Sequence, residues 1–350
     1  MANRGKLVVY LGYAAGVGKT YKMLEEAQRL RRGGADIVIG YFEPHDRPDT
    51  IALTRGIESI PCRAQAYRGA VFPEMDIEAI VRRHPAICVV DELPHTNTPG
   101  CERAKRWQDV EWLLDQGIDV FTTMNVQHLE SFNDQVWQIS GVRVRETVPD
   151  WIVAQANEVV MVDLTPRALL HRLERGVVYP PEAARRALEN FFQESKLAAL
   201  RELTLRQAAH VTEARQEAAA PAPPPGQECI LIHVTADPST AMLIRRSKRV
   251  ADYHRAPCFA VYVRAPGEEV APAVEQHLNF ARNLRIETVV ALGEDAAAAL
   301  VDFAHQRKVT QIFTARPTQA RRNGEAALLH RIVRLARDMQ VTIVARSRGA

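Results

Sequence analysis

The sequence predicts two consecutive α/β domains, each a parallel sheet covered by helices. Three observations predict it. Short apolar runs alternate with helical patterns, which is how strand–helix–strand units of a parallel sheet read. The alternation stops at 218–226, AAAPAPPPG, and then starts again. A chain of 350 residues also has room for two domains at about 100–200 residues each.

In the first stretch the strand candidates are 7–11, 37–42, 87–90, 120–124 and 159–162. The first and third are almost continuously apolar, as strands buried on both faces are. Helices are expected at 20–32, 77–83, 104–116 and 129–139. A long helix is expected over 182–217, which holds no Gly or Pro. Leu188, Phe191 and Phe192, then Leu197, Leu200 and Leu203, recur there at helical spacing. Pro221, Pro223, Pro224 and Pro225 then favour an extended spacer with nothing suited to a core. Beyond it, strands are expected at 229–233, 259–263, 287–291, 311–314 and 341–345, and helices at 240–253, 273–284, 296–306 and 326–338. The division is therefore 1–217, a proline-rich linker 218–226, and 227–350.

Composition narrows the function classes. Apolar residues make up 47% and charged residues 25%, an ordinary globular mixture. Lys+Arg 45 against Asp+Glu 42 gives +3, too balanced for nucleic acid as the main partner. Five scattered cysteines without a CxxC pair fit a reducing compartment and no cysteine zinc site. No apolar run approaches the roughly 18–20 residues of a membrane span, and the N-terminus carries no secretory core. A cytoplasmic, non-membrane-spanning protein is expected.

The main chemical signal follows the first strand: Gly12-Tyr13-Ala14-Ala15-Gly16-Val17-Gly18-Lys19-Thr20, opening a helical run. A strand, a small-residue loop ending in GKT and a helix form a phosphate-binding P-loop. Backbone N–H groups of Gly16, Val17 and Gly18 would cradle ATP phosphates. Lys19 would neutralise β/γ charge, and the Thr20 hydroxyl would ligate Mg2+. The first glycine of such loops normally stands where Tyr13 does, and Gly12 lies one place early. Downstream, an apolar strand ends in Asp91-Glu92. Asp91 would hold Mg2+ with Thr20, and Glu92 would act as a catalytic base beside Lys19.

Longer strings follow. Asp91-Glu92-Leu93-Pro94-His95-Thr96-Asn97-Thr98-Pro99-Gly100, the run from Gly117 to Ser131 around Thr122-Thr123-Met124-Asn125-Val126-Gln127-His128, and Val144–Asp150 stand beside GVGKT and Tyr41–His45. From about residue 5 to 206 this resembles the N-terminal cytosolic domain of the KdpD sensor-kinase family of bacterial potassium uptake. The odd first loop position is a habit of that family. The resemblance implies ATP-dependent regulation of Kdp signalling, with protein partners: a sensor kinase fragment, the KdpE response regulator or the potassium pump. The residues themselves equally allow an enzyme moving the γ-phosphoryl group to a protein hydroxyl or to water. Full-length relatives continue into membrane helices and a histidine-kinase core. Neither is in this chain, so a sensor-only form and not a complete histidine kinase is expected.

The half after the linker resembles a universal-stress-protein domain, a smaller five-stranded parallel α/β fold. ATP-binding members have a glycine-rich turn after the fourth strand. Here that stretch reads Phe313-Thr314-Ala315-Arg316-Pro317-Thr318, and Thr235-Ala236-Asp237 stands where binders of cyclic di-adenylate carry paired serines. Neither ligand is expected at low micromolar affinity. His45, His95 and His128 fall at strand ends, where a parallel sheet forms its ligand crevice, and read either as phosphate sensors or as scaffold. Thr122, Thr123, Asn125 and Gln127 read either as γ-phosphate contacts or as strand caps. The basic run Arg245–Arg249 reads as a solvated helix face, with phosphate or partner contact as the alternative. Arg316, Arg321 and Arg322 read as an exposed loop. Trp107, Trp112 and Trp137 are expected to pack helices.

Overall fold

The computed structural model describes residues 4–44, 47–178, 192–218, 228–316 and 322–345. The chain divides into two compact units, Met1–Ala220 and Pro221–Ala350. Of the linker expected at 218–226, Ala218 ends a helix; 219–226, together with His45, 182–191, Pro317, Thr318 and Arg321, lies outside the described residues.

The first unit runs β1 (Leu7–Gly12), α1 (Lys19–Arg32), β2 (Ile37–Tyr41), α2 (Pro48–Ala52), β3 (Glu58–Ser59), β4 (Arg63–Tyr67), β5 (Ala70–Glu74), α3 (Ile77–Arg83), β6 (Ile87–Val90), α4 (Arg106–Asp115), β7 (Asp119–Asn125), α5 (Asn133–Ser140), α6 (Asp150–Ala154), β8 (Glu158–Met161), α7 (Pro166–Glu174) and α8 (Glu194–Ala218). Six strands form one sheet in the order β3-β2-β6-β7-β1-β8, every pair parallel. Val9, Leu11, Val89 and Val90 are fully buried. They face helices from both sides of the sheet, which is why these strands read as unbroken apolar runs. The crossovers put the ends of β1, β6 and β7 side by side at one edge.

Two expected helices come out differently. The helix expected over 129–139 is α-helical only from Asn133, as α5; Glu130–Phe132 is a 3-10 turn, and another, Val126–His128, precedes Leu129. Leu129 is held extended (φ −67°, ψ 128°) because the Val148 amide donates to His128 O at 2.7 Å and the Glu130 amide to Val148 O at 3.0 Å. This non-local pairing removes Leu129 from the helix. Of the long helix 182–217, the described part starts only at Glu194. The Leu197 amide donates to Gln193 O at 2.9 Å, making Gln193 the residue that caps the helix start, while Phe192 turns into the core. Below it Leu197, Leu200 and Leu203 are buried as the spacing predicts.

The antiparallel ribbon β4–β5 was not expected. Its turn is Arg68-Gly69, both at positive φ (49° and 81°), the conformation that suits a two-residue hairpin.

The second unit runs β9 (Ile230–His233), α9 (Thr240–His254), β10 (Cys258–Arg264), α10 (Pro272–Asn283), β11 (Glu287–Leu292), α11 (Ala296–Gln306), β12 (Gln311–Ala315), α12 (Arg322–Leu335) and β13 (Gln340–Val344). Its five strands order β11-β10-β9-β12-β13, again all parallel. Each face of this sheet carries its own buried apolar cluster. On α9, Leu243, Ile244, Ser247 and Ala251 turn inward. The basic residues between them lie half-buried at its flank, with Arg245 over the Phe280 ring at 5.1 Å and Lys248 paired to Asp252 at 2.5 Å.

Candidate functional site

The site forms where β1, β6 and β7 end. Tyr13 leaves β1 inward: its ring is fully buried and its hydroxyl donates to Leu164 O at 2.8 Å. Position 13 is thus a core position. Glycine is needed at 12 instead, where an added Cβ would lie 2.7 Å from Val17 Cγ2 and 3.0 Å from Lys19 Cδ. The displaced first glycine of the loop has this packing origin. Gly16 and Gly18 then hold φ +86° and +105°, values that side chains with a Cβ rarely adopt. Gly18 starts α1, whose first turn has no side-chain cap and no acidic residue. Free amides and the helix dipole there favour an anion.

Lys19 Nζ donates to Ala14 O at 3.2 Å. Burial pushes its amine down to about 8, and nearby Arg47 pushes the same way against Asp91 and Glu92. Thr20 Oγ1 donates to Asp91 at 3.2 and 3.3 Å. Asp91 is 1% exposed, and burial raises its carboxyl above the usual range. Thr123 on β7 ties the acidic pair together. Its hydroxyl donates to Asp91 Oδ1 at 2.5 Å and accepts the Glu92 amide at 3.1 Å. Glu92 itself sits at φ +57°, a strained conformation for a residue with a Cβ.

Beneath this edge lies Arg106, fully buried. Its Nη1 donates to Asp91 O at 3.1 Å and Glu92 O at 3.4 Å. Its guanidinium lies 3.6 Å from the Tyr41 ring centroid and 3.9 Å from Glu74. Glu74 accepts the Thr98 amide at 2.7 Å and hydroxyl at 2.6 Å, and lies 3.3 Å from His95 Nε2. The root of the ribbon is thereby tied to the site. His128 Nδ1 is 2.7 Å from Glu146 O, and burial pushes its ring below the usual histidine range.

A solvent-open cavity lies here, and Gly16, Gly18, Lys19, Thr20, Asp91 and Glu92 all line it. His95, His128, Thr123 and Asn125 join the same wall. Val17 does not; it is buried, 4% exposed. Thr122 and Gln127 are not among the lining residues. Sequence reasoning missed Arg47 and Glu146, which also line the cavity. For Arg47 the available signal was Pro48, which begins α2 and fixes the chain at its start. Trp107 packs edge-on to Trp151 at 5.7 Å. Trp112 differs from expectation: it is 42% exposed, with Arg103 over its ring at 4.8 Å.

The second unit has a small, solvent-open cleft lined by His233, Thr235, Asp237, Thr314, Ala315 and Arg316. Asp237 accepts the Ser239 amide at 2.8 Å and hydroxyl at 2.6 Å. His233 Nδ1 is 3.2 Å from Thr314 Oγ1, and burial lowers its ring to about 4. Among the described residues no helix is long and apolar enough to cross a membrane.

The family model of the KdpD osmosensitive K+ channel His kinase sensor domain matches residues 3–211. The sensor protein KdpD of Escherichia coli (strain K12) is 41% identical over 355 residues, covering 98% of this chain and 40% of that protein. The putative sensor protein KdpD of a Synechocystis species is 39% identical over 352 residues, covering 98% of this chain and 94% of that protein. The chain therefore spans well under half of the first relative and nearly all of the second. A universal stress protein solved in complex with cAMP is similar at a TM-score of 0.29 and 17% identity, over 35% of this chain and 98% of that one.

Proposed function

The chain belongs to the KdpD osmosensitive potassium-channel sensor-domain family, and from that premise we propose that it is an ATP-binding sensor module of Kdp signalling. In this reading residues 1–217 are a P-loop domain, 218–226 a spacer, and 227–350 a universal-stress-protein-like domain. The module works in the cytoplasm through nucleotide-dependent contact with a protein partner: sensor kinase, response regulator or pump.

The observation that carries the reading is the convergence of Lys19, Thr20, Asp91 and Glu92 on one cavity, above a loop whose glycines adopt positive φ. The residues fit the group. Gly16, Gly18 and the start of α1 would cradle the phosphates, and Lys19 would neutralise them. Thr20 Oγ1 and the Asp91 carboxylate, already within 3.3 Å, would hold Mg2+, which supplies charge neutralisation at the phosphates. Thr123 keeps Asp91 and Glu92 in fixed relation. The experiment is calorimetry with Mg-ATP on the full chain, beside Lys19→Ala. Wild type should bind saturably, and the variant should fold but lose most of the affinity. Equal binding by both would overturn the assignment.

A second reading rests on Glu92. Beside Asp91, and in a left-handed backbone conformation, it puts a second acidic residue at the cavity, one more than Mg2+ binding requires. There it would accept the proton of an attacking protein hydroxyl or water during γ-phosphoryl transfer. Phosphate release or radiolabel transfer that Glu92→Gln abolishes, while binding persists, would select this reading.

A further inference from the structure

Two cationic groups meet in the cavity, and only Lys19 belongs to the loop. The other is Arg47, which stands between β2 and α2. Its backbone is held on both sides: its amide donates to Pro44 O at 3.1 Å, and its carbonyl accepts the Ile51 amide at 2.9 Å as α2 begins. Its Nη2 donates to Val178 O at 3.3 Å. The side chain is therefore placed, not waving in solvent, and it lines the same cavity as Lys19.

We propose that Arg47 binds the terminal phosphate and makes the site discriminate a nucleoside triphosphate from a diphosphate. The inference rests on the nucleotide reading above and adds a residue and a specificity to it. Three observations converge. In the sheet order β2 lies beyond β6, on the side away from β1. A group entering from β2 thus approaches across Asp91 and Glu92 and meets the phosphate nearest them, the last of the chain. Next, Arg47 and Lys19 line the same cavity, and a multiply charged anion between two like charges relieves their repulsion. Finally, a guanidinium offers a planar fork of donors that matches phosphate oxygens two at a time, which an ammonium cannot.

The consequence reaches α7. Val178 O, which receives Arg47, belongs to the turn after that helix, and Val178 packs over the loop, within 2.5 Å of where a Gly16 Cβ would stand. Arg172 from α7 donates to Gly16 O at 3.3 Å. A terminal phosphate drawing on Arg47 therefore pulls on the segment that covers the loop.

The test is calorimetry of the full chain with Mg-ADP and with the magnesium complex of a non-hydrolysable ATP analogue, on wild type, Arg47→Ala and Arg47→Lys. Losing charge-assisted hydrogen bonds should weaken the analogue by about 10- to 100-fold. Mg-ADP should change by less than about twofold, the scatter expected of a surface change. Arg47→Lys should recover only part of the loss. Equal weakening of both nucleotides, or none, overturns the inference while leaving nucleotide binding intact. If wild type binds neither nucleotide, this inference and the reading beneath it fall together. Should Arg47→Ala melt early, Arg47→Lys alone decides, because it keeps charge and bulk.

Discussion

Lys19 is the residue where charge and function meet most directly. Its amine titrates near 8, against 10.5 for an ordinary lysine, chiefly because it is buried. Its charged form is thus disfavoured in the native state. This group opposes folding below about pH 8, and that opposition fades as pH rises toward 10.5. Phosphate affinity has the opposite sense: it needs the proton. Nucleotide affinity should be flat from pH 6 to 7.5 and should fall above about pH 8, measured by calorimetry at constant ionic strength. Lys19→Arg should remove the alkaline fall. A wild-type profile flat to pH 10 would separate Lys19 from the phosphates. The loop residues were legible in the sequence because their spacing is the one that the proposed phosphate cradle requires. Arg47 was not: Pro48 marks a helix start there but no chemistry, and only the order β2-β6-β7-β1 brings Arg47 near Lys19. Arg106 was equally silent: arginine is rarely fully buried, and its partners Tyr41, Glu74 and Asp91 are scattered along the chain.

At the scale of elements, α8 closes the first unit. Leu197, Leu200 and Thr204 are fully buried on it, in the same cluster as β1 and α7 residues for the two leucines. Leu200→Ala should cost about 2–5 kcal/mol, transfer plus cavity, read as a lowered urea midpoint with unchanged slope. Leu205→Ala, at 44% exposed, should stay within about 0.5 kcal/mol. A comparable loss at both sites would mean that α8 does not pack as described. The parallel strands were readable because burial on both faces leaves nearly continuous apolar runs. The ribbon β4–β5 was not, because Arg63-Ala64-Gln65-Ala66 alternates polar residues only with small alanines, with no β-branched residue to mark a strand. Leu129 was misread for a related reason: its partner Val148 is remote in sequence, and helical periodicity sees only neighbours.

For the whole molecule, each unit has its own buried clusters, and none of them mixes residues of the two. Two calorimetric transitions are expected, each responding to its own perturbation. Mg-ATP at 100 times its dissociation constant should add about 2.7 kcal/mol to one transition. Acid should lower the other. His233 titrates near 4 when folded against 6.5 in an ordinary setting, so the unfolded chain takes up the proton first. The second unit should therefore lose stability as pH falls from 6.5 to 4, by up to about 3 kcal/mol. His233→Gln should flatten that acid dependence. A single transition moved by both ligand and acid would show that the units unfold as one.

The backbone of Glu92 carries a lesson for anyone evolving this protein. Left-handed φ for a residue with a Cβ costs about 1–2 kcal/mol, and glycine there would recover that strain less the roughly 0.4–1 kcal/mol it costs through the entropy of the unfolded chain. Glu92→Gly should accordingly survive heating better than wild type, read by melting temperature, while losing the carboxylate at the cavity. A library selected for heat resistance alone would drift toward glycine at position 92. One selected for signalling in cells would hold on to the acid. The residue at this position in survivors of the two selections would reveal which pressure shaped the native chain.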